Sequence, residues 1–518
     1  GKLDGSRLTT TVTGQASVQA GDSVTLDNAE LTAGALTATA TSGDLSMKST
    51  ELDISGAAEL TAKQSITATD ANATSDSLTM KAETGSVEAT GFMATVADQA
   101  SIVAGKSVTL DGSKLGLGAF IASAKSGDLS LTSAEIEVSG AAELTAQQSI
   151  TAVNAKVTSN LLTMKAKTGK LDGSRLTTTV TGQASVEAGD SVTLDGSKLG
   201  AGALTATANL GDLSLKSAEL DISGAAKLTA QDTITATDAN VTSDSLTMTA
   251  KTGKLDGSRL TTTVTGQASV EAGDSVTLDG SKLGAGALTA TANLGDLSLK
   301  SAELDISGAA KLTAQDTITA TDANVTSNSL TMTAKTGSVE ASRLTATVAD
   351  QASIVAGNSV TLDGSKLGAG ALTATATTGD LSVKNTEIKA AKGGITLTAE
   401  ASDIDASGVN LSAVGAATLT AGQDLKLAPS GDAVARVTAK SLSATASGAL
   451  DASRLEVKVE EASAFQSNGL LTLTDANVSG GSLRAEGDAG VEGARITVDV
   501  TGNGYNEGNR DDYEGVVT

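Results

Sequence analysis

Residues 169–252 recur as residues 253–336 with a single change, Asp244 to Asn328. A chain that repeats itself this closely folds as an array, so its architecture must be read from the repeating unit. The unit also opens at Gly1 (GKLDGSRL), returns in diverged form at Gly85 (GSVEATGF) and starts again at Gly337 (GSVEASRL). Its five starts, Gly1, Gly85, Gly169, Gly253 and Gly337, are evenly spaced with no insertion between them. A stacked solenoid demands such spacing, because every coil must present its apolar columns to the next.

Within residues 253–336 the apolar residues fall in pairs two apart: Leu297/Leu299, Leu304/Ile306, Leu312/Ala314, Ile318/Ala320 and Leu330/Met332. That spacing puts both side chains of a pair on one face of a short strand. Gly, Ser, Asp and Asn between the pairs are corner formers. A shorter interval is nested inside the repeat. Val276, Leu297 and Ile318 are 21 apart, and so are Leu278, Leu299 and Ala320, and Leu283, Leu304 and Val325. Third-strand positions alternate instead: Val270 and Leu312 lie 42 apart, as do Leu288 and Leu330, so coils come in pairs of two slightly different shapes. The reading is an all-β fold, a parallel β-helix of roughly triangular section. It has about 25 coils of about 21 residues, three short strands to each, and at about 4.8 Å per coil spans roughly 120 Å. Proline is scarce because each strand would be central in a continuous ladder; the single Pro429, in LAPSGD, belongs in a corner.

Composition narrows the function classes. Five aromatic residues (Phe92, Phe120, Phe465, Tyr505, Tyr513) and no Trp require a thin aliphatic core, while 39% apolar content, evenly spaced, excludes a disordered chain. A formal charge of −24 repels nucleic acid and anionic lipid. No run of eighteen apolar residues is present to span a membrane as a helix. Without Cys there is neither a disulfide nor a thiolate metal site. The start at Gly1, with no Met and no signal-like segment, suggests a fragment or processed product.

Four chemistries can be set against the residues. Catalysis lacks His and Cys, the commonest base and nucleophile. Leu-Asp-Gly, at 171–173 and 194–196, also repeats too often to be one active site, so no catalytic residue and no cofactor is expected. Gly-Asp corners at Asp190, Asp212, Asp274 and Asp296, and the Asp511-Asp512 pair, offer oxygen ligands for calcium. The glycine-rich nonapeptide of calcium β-rolls is absent, so these read as turn residues and no metal site is expected. Ice binding would use flat Thr-x-Thr rows, present at Thr37/Thr39, Thr205/Thr207, Thr247/Thr249, Thr289/Thr291 and Thr331/Thr333. The matching positions of the intervening coils read as Thr313 with Gln315 and Glu271 with Gly273, which would interrupt the array at every second coil. Asn72, Asn240 and Asn324 open Asn-x-Thr sequons, and Asn410 and Asn477 open Asn-x-Ser.

GALTATATSGDLSMKSTELDISGAAELTA (34–62) and ASVEAGDSVTLDGSKLGAGALTATA (268–292) resemble the shaft repeats of filamentous haemagglutinin and related two-partner-secreted exoproteins. The shared phrase is a Gly-Ala-Leu-Thr or Gly-Asp-Leu-Ser strand, a Ser/Ala-rich corner, then a short aliphatic strand, and it extends to about residue 500. The resemblance implies a right-handed β-helix, export through an outer-membrane partner transporter, and a secreted or surface-displayed adhesin or delivery stalk. Some adhesins of that type carry sugar at such sequons, but in a Ser/Thr-rich chain chance is the better reading of these. The expected organisation is a regular shaft over 1–378, diverged coils over 379–500 ending in the strand ITVDV (496–500), and an irregular tail or linker over 501–518. The expected function is a rigid structural spacer, not an enzyme, that projects a tip domain and mediates cell or surface adhesion, with room for lateral or homotypic fibre contacts. The alternative is a repeated-face module binding glycan or its own copies in a biofilm matrix, gaining from multivalency.

Overall fold

The structure, a computed structural model, describes residues 1–500 and the strand Tyr505–Asn506. The chain divides into two compact units, Gly1–Asp256 and Gly257–Thr518, and each is a parallel β-solenoid without helix among the described residues. Each turn opens with a two-residue strand. Among the described residues there are 24 of these, running from Leu3–Asp4 to Leu255–Asp256 in the first unit and from Val276–Thr277 to Val491–Glu492 in the second. Two further sides complete the turn, so the expected three strands per coil are present. In the first unit, Val192–Thr193 is followed by Lys198–Ala208, which runs through both remaining sides.

The inward columns are the residues singled out by their spacing of two. Leu213, Leu215, Leu220, Ile222, Leu228 and Ala230 are all buried around one turn, and the same holds for Leu297, Leu299, Leu304, Ile306, Leu312 and Ala314 in the second unit. Each inward Leu or Ile removed from water contributes about 1.5–3 kcal/mol, so many coils together supply what one thin cross-section lacks. Phe92, Phe120 and Phe465 are the bulkiest of the fully buried side chains.

The grouping of coils into unlike pairs has a structural cause. On the second side, Val264 pairs with Ala285, 21 positions on, but on the third side Gln267 pairs with Ala287, 20 positions on. In the next turn Ala285 pairs with Ile306, again 21 on, and Leu288 pairs with Ala310, 22 on. The corner between these sides therefore gains a residue in one turn and loses it in the next, and the following corner compensates, so the first side always advances by 21 (Val276↔Leu297, Leu297↔Ile318).

Several glycines in this corner approach the preceding turn so closely that a side chain on them would meet backbone. A Cβ on Gly202 would stand 2.7 Å from the carbonyl oxygens of both Thr181 and Gly182, and one on Gly224 would stand 2.7 Å from that of Gly202. Gly200, two residues earlier, meets nothing nearer than 3.4 Å.

Beyond Leu381 the pitch loosens. The next two-residue strands begin at Ile404, Leu425, Leu450, Leu471 and Val491, where the identity between repeats has already faded. Pro429 lies, as expected of a residue with no N–H to give, in an added corner, closed by the antiparallel bridge between Ser430 and Ala433. The last full strand, Thr497–Val500, pairs with Asn477–Gly480. The tail reading over 501–518 lies outside the described residues except at Tyr505–Asn506, which pairs in parallel with the strand Ser482–Gly487.

Replacing Gly202 with Ala should lower the melting midpoint, followed by far-UV circular dichroism, by the equivalent of about 1–3 kcal/mol. Gly200→Ala should be neutral or stabilising by up to about 1 kcal/mol. Equal effects at the two sites would refute the close-approach account of Gly202.

Candidate functional site: corners and outward columns

The corner after the first side is held by a recurrent left-handed residue. Ser217, Asp238, Asn154 and Arg175 have φ of 54°, 57°, 56° and 55°, and Gly196 occupies the same place at 64°. Asn, Asp and Gly tolerate this conformation; Ser and Arg adopt it at a cost. The arginines gain a compensating contact to the preceding turn. Arg343 Nε and Nη2 donate to Asp322 Oδ1 and Oδ2, both at 2.6 Å, and Arg175 Nε donates to Asn154 Oδ1 at 2.6 Å.

The acidic corners are ties between neighbouring turns. Asp195 accepts from Ser214 Oγ at 2.6 Å and from the Lys216 N–H at 2.9 Å, and Asp279 does the same with Ser298 and Lys300. Two of the residues weighed as calcium ligands, Asp212 and Asp296, accept from the Thr233 and Thr317 N–H groups at 2.9 and 2.8 Å. Asp190 and Asp274 accept from the adjacent Ser191 and Ser275 hydroxyls. No group of three candidate metal ligands gathers among the described residues, and Asp511 and Asp512 lie outside them. Of the two Leu-Asp-Gly segments, Asp195 makes this tie to the next turn, while Asp172 caps the Ser174 N–H of its own corner at 3.0 Å.

A second tie was not legible in the sequence. Ser197 and Ser281 are fully buried. Each donates to a carbonyl of the preceding turn, Gly173 O and Gly257 O, at 2.6 Å. Each also accepts at 3.2 Å, from the N–H of Leu176 and of Leu260. A serine in a Gly/Ser/Asp corner looks like any turn residue, so only its recurrence after Leu-Asp-Gly in successive repeats could have marked it. By contrast Ser75, Ser159, Ser243 and Ser327, which also recur once per repeat, point inward with hydroxyls that find no partner.

Opposite charges stack along the outward column that opens the second side. Glu135 lies between Lys114 and Lys156, at 3.6 and 2.9 Å, and hydrogen bonding to Lys156 leads in holding its carboxyl below the usual range. The five sequon asparagines occupy this same exposed column, each registered against a glutamate of the previous turn: Glu51↔Asn72, Glu219↔Asn240, Glu303↔Asn324, Glu387↔Asn410 and Glu456↔Asn477. Near its start Asn72, Met93, Lys114, Gly116 and Glu135 line a shallow depression open to solvent.

The Thr-x-Thr rows lie on the third side, in a register that corrects the one expected. Thr289 and Thr291 stand beside Ser269 and Glu271 in one turn and beside Lys311 and Thr313 in the next. Gln315 and Gly273 are two residues further along, past the strand, because the alternation of 20 and 22 does not show in first-side spacing. Charge does interrupt the duplicated blocks, through Glu271 and Lys311. From Thr331 to Thr445 it does not.

Comparison with models of known protein families, with curated proteins and with solved structures finds no match.

Asp195→Ala should lower thermal stability by about 1–2 kcal/mol, since it strands the Lys216 N–H and the Ser214 hydroxyl, and calcium should leave the melt of both proteins unchanged. A calcium-dependent rise abolished by the substitution would instead make Asp195 a cation ligand. The Asp322–Arg343 pair adds a pH dependence. Its hydrogen bond outweighs desolvation and depresses the Asp322 carboxyl. The stabilisation is therefore present above the ordinary carboxylate pKa and is lost as pH falls through the depressed folded value. Arg343→Gln should flatten that part of the acid limb.

Proposed function

We propose that this chain is a length of structural shaft, a spacer in a secreted or surface-displayed bacterial fibre of the filamentous haemagglutinin type. The observation that carries this reading is the unvarying step between first-side strands from Leu3 to Leu381, kept while the outward residue at one column position changes between Asn, Met, Lys, Glu and Thr. Selection for a binding or catalytic centre fixes particular side chains. Here the first-side step is the same at every turn of that stretch while the side chain at one outward position changes from turn to turn, which is what a spacer requires.

Several further features support the role. The corners are short, tied by Asp and Ser to the neighbouring turn, and offer few loose loops for proteolysis. The phenylalanines are all inward, leaving no aromatic platform for a sugar among the described outward residues. An acidic surface, with net charge −24, keeps an extended repeat dispersed. On this reading the chain passes an outer-membrane partner transporter and holds a tip domain away from the cell, and catalysis is no part of its work.

Deleting residues 169–252 removes four turns from the first unit, about 19 Å of its axis at the ladder spacing. Adhesion or delivery by the parent fibre should persist in kind, with reach shortened by that amount. A steep loss of avidity with each repeat removed would show that the repeats themselves bind, and would replace the spacer reading with the glycan or homotypic one.

A further inference from the structure

The third side of the second unit carries an uninterrupted uncharged face across six consecutive turns. Its paired outward positions are Thr331/Thr333, Ser353/Val355, Thr373/Thr375, Thr396/Thr398, Thr418/Thr420 and Ser443/Thr445, each in direct register with the next. Charge stops at the ends of this stretch: Lys311 precedes it, and Arg484 and Glu486 follow after one further turn. Along its borders charge is held in the corners, where Lys392 pairs with Asp350 at 2.8 Å.

Three properties of the face point to one kind of partner. First, its hydroxyls are free: among the described residues none of those eleven Ser and Thr side chains has a hydrogen-bond partner in the chain, whereas the corner hydroxyls of Thr336 and Thr378 bond to carbonyls. Second, the array is stiff and periodic in two directions. Turns repeat at about 4.8 Å, alternate residues along a strand at about 6.6 Å, and β-branching limits each Thr to few rotamers. Third, the face is neutral in a chain of net charge −24. A neutral face complements a neutral surface, while a second copy would bring two strongly acidic chains together. A polysaccharide would call for aromatic stacking surfaces, and no phenylalanine lies between Thr331 and Thr445, while Phe465, one turn beyond, points inward.

We propose that this face adsorbs to ice. Crystalline water is an uncharged, rigid, two-dimensionally periodic array of hydrogen-bond donors and acceptors, with row spacings close to those of the two threonine repeats. Hydroxyls matched to its oxygens, with methyl groups ordering the water between them, bind weakly one at a time and strongly as a ladder. The inference does not depend on the spacer reading, since a shaft can carry such a face along part of its length.

The test is partition of the full-length chain into a slowly growing ice hemisphere, with recrystallisation of a frozen suspension as a second readout. The wild type should enter the ice and arrest recrystallisation. Thr396→Lys and, separately, Thr398→Lys, at the centre of the face, should each abolish both effects while far-UV circular dichroism and the melt stay unchanged. Thr247→Lys, on the interrupted third side of the first unit beside Lys227, should leave them intact. Exclusion of the wild type from ice overturns the proposal, as does undiminished incorporation of both central lysine variants. Capture by crystalline polysaccharide, or self-association, that is lost in those variants without any ice effect overturns it in favour of that partner.

Discussion

The structure depends on one bond repeated: a backbone N–H donating to a carbonyl of the neighbouring turn. Val192 donates to Asp212 O at 2.9 Å and Leu213 to Thr233 O at 2.9 Å, and the other two sides make the same kind of bond along their strands. Every turn inside a unit is thereby central in its sheets, so a missing donor or a slipped register is felt by both neighbours. The scarcity of proline, the glycine stacks and the Asp and Ser corner ties all serve to keep that ladder in step. Apolar columns provide the driving force, but the ladder fixes where each residue of a column must stand.

Most of this fold is legible in the sequence because periodicity survives where individual residues do not. The first-side step, the three strands per turn, the inward pairs such as Leu304/Ile306 and the corner place of Pro429 can all be read from spacing and turn chemistry. The third side is harder. Its register is set by the number of residues in a glycine corner, one or two by turn, and that count is invisible when a step is measured from Val276 or Leu297. Hence spacing matches Thr313 with Gln315 when Lys311 is its companion.

The candidate sites are legible as locations and not as roles. Asp212 and Asp296 can be seen to sit in corners, but their acceptance of an N–H from the next turn is a contact between residues far apart in the chain, which composition does not reveal. Ser197 and Ser243 illustrate the same limit, because one hydroxyl is doubly bonded across turns and the other is buried alone, and nothing local distinguishes them. The face from Thr331 to Thr445 is hidden for a different reason: its uncharged rows continue past the near-identical blocks into diverged sequence.

If the ladder's register governs everything else, then the count of residues removed matters more than their identity. Two deletions in the first unit separate these cases: residues 156–197, which removes a whole pair of turns, and residues 156–196, which removes one residue fewer. The account predicts that the first retains a native far-UV spectrum and a melting midpoint close to the wild type. The second, with a following strand shifted by one and its inward side chains turned outward, should melt markedly lower or fail to fold. Closely similar melts for the two proteins would contradict the claim that the register of the turns holds the structure together.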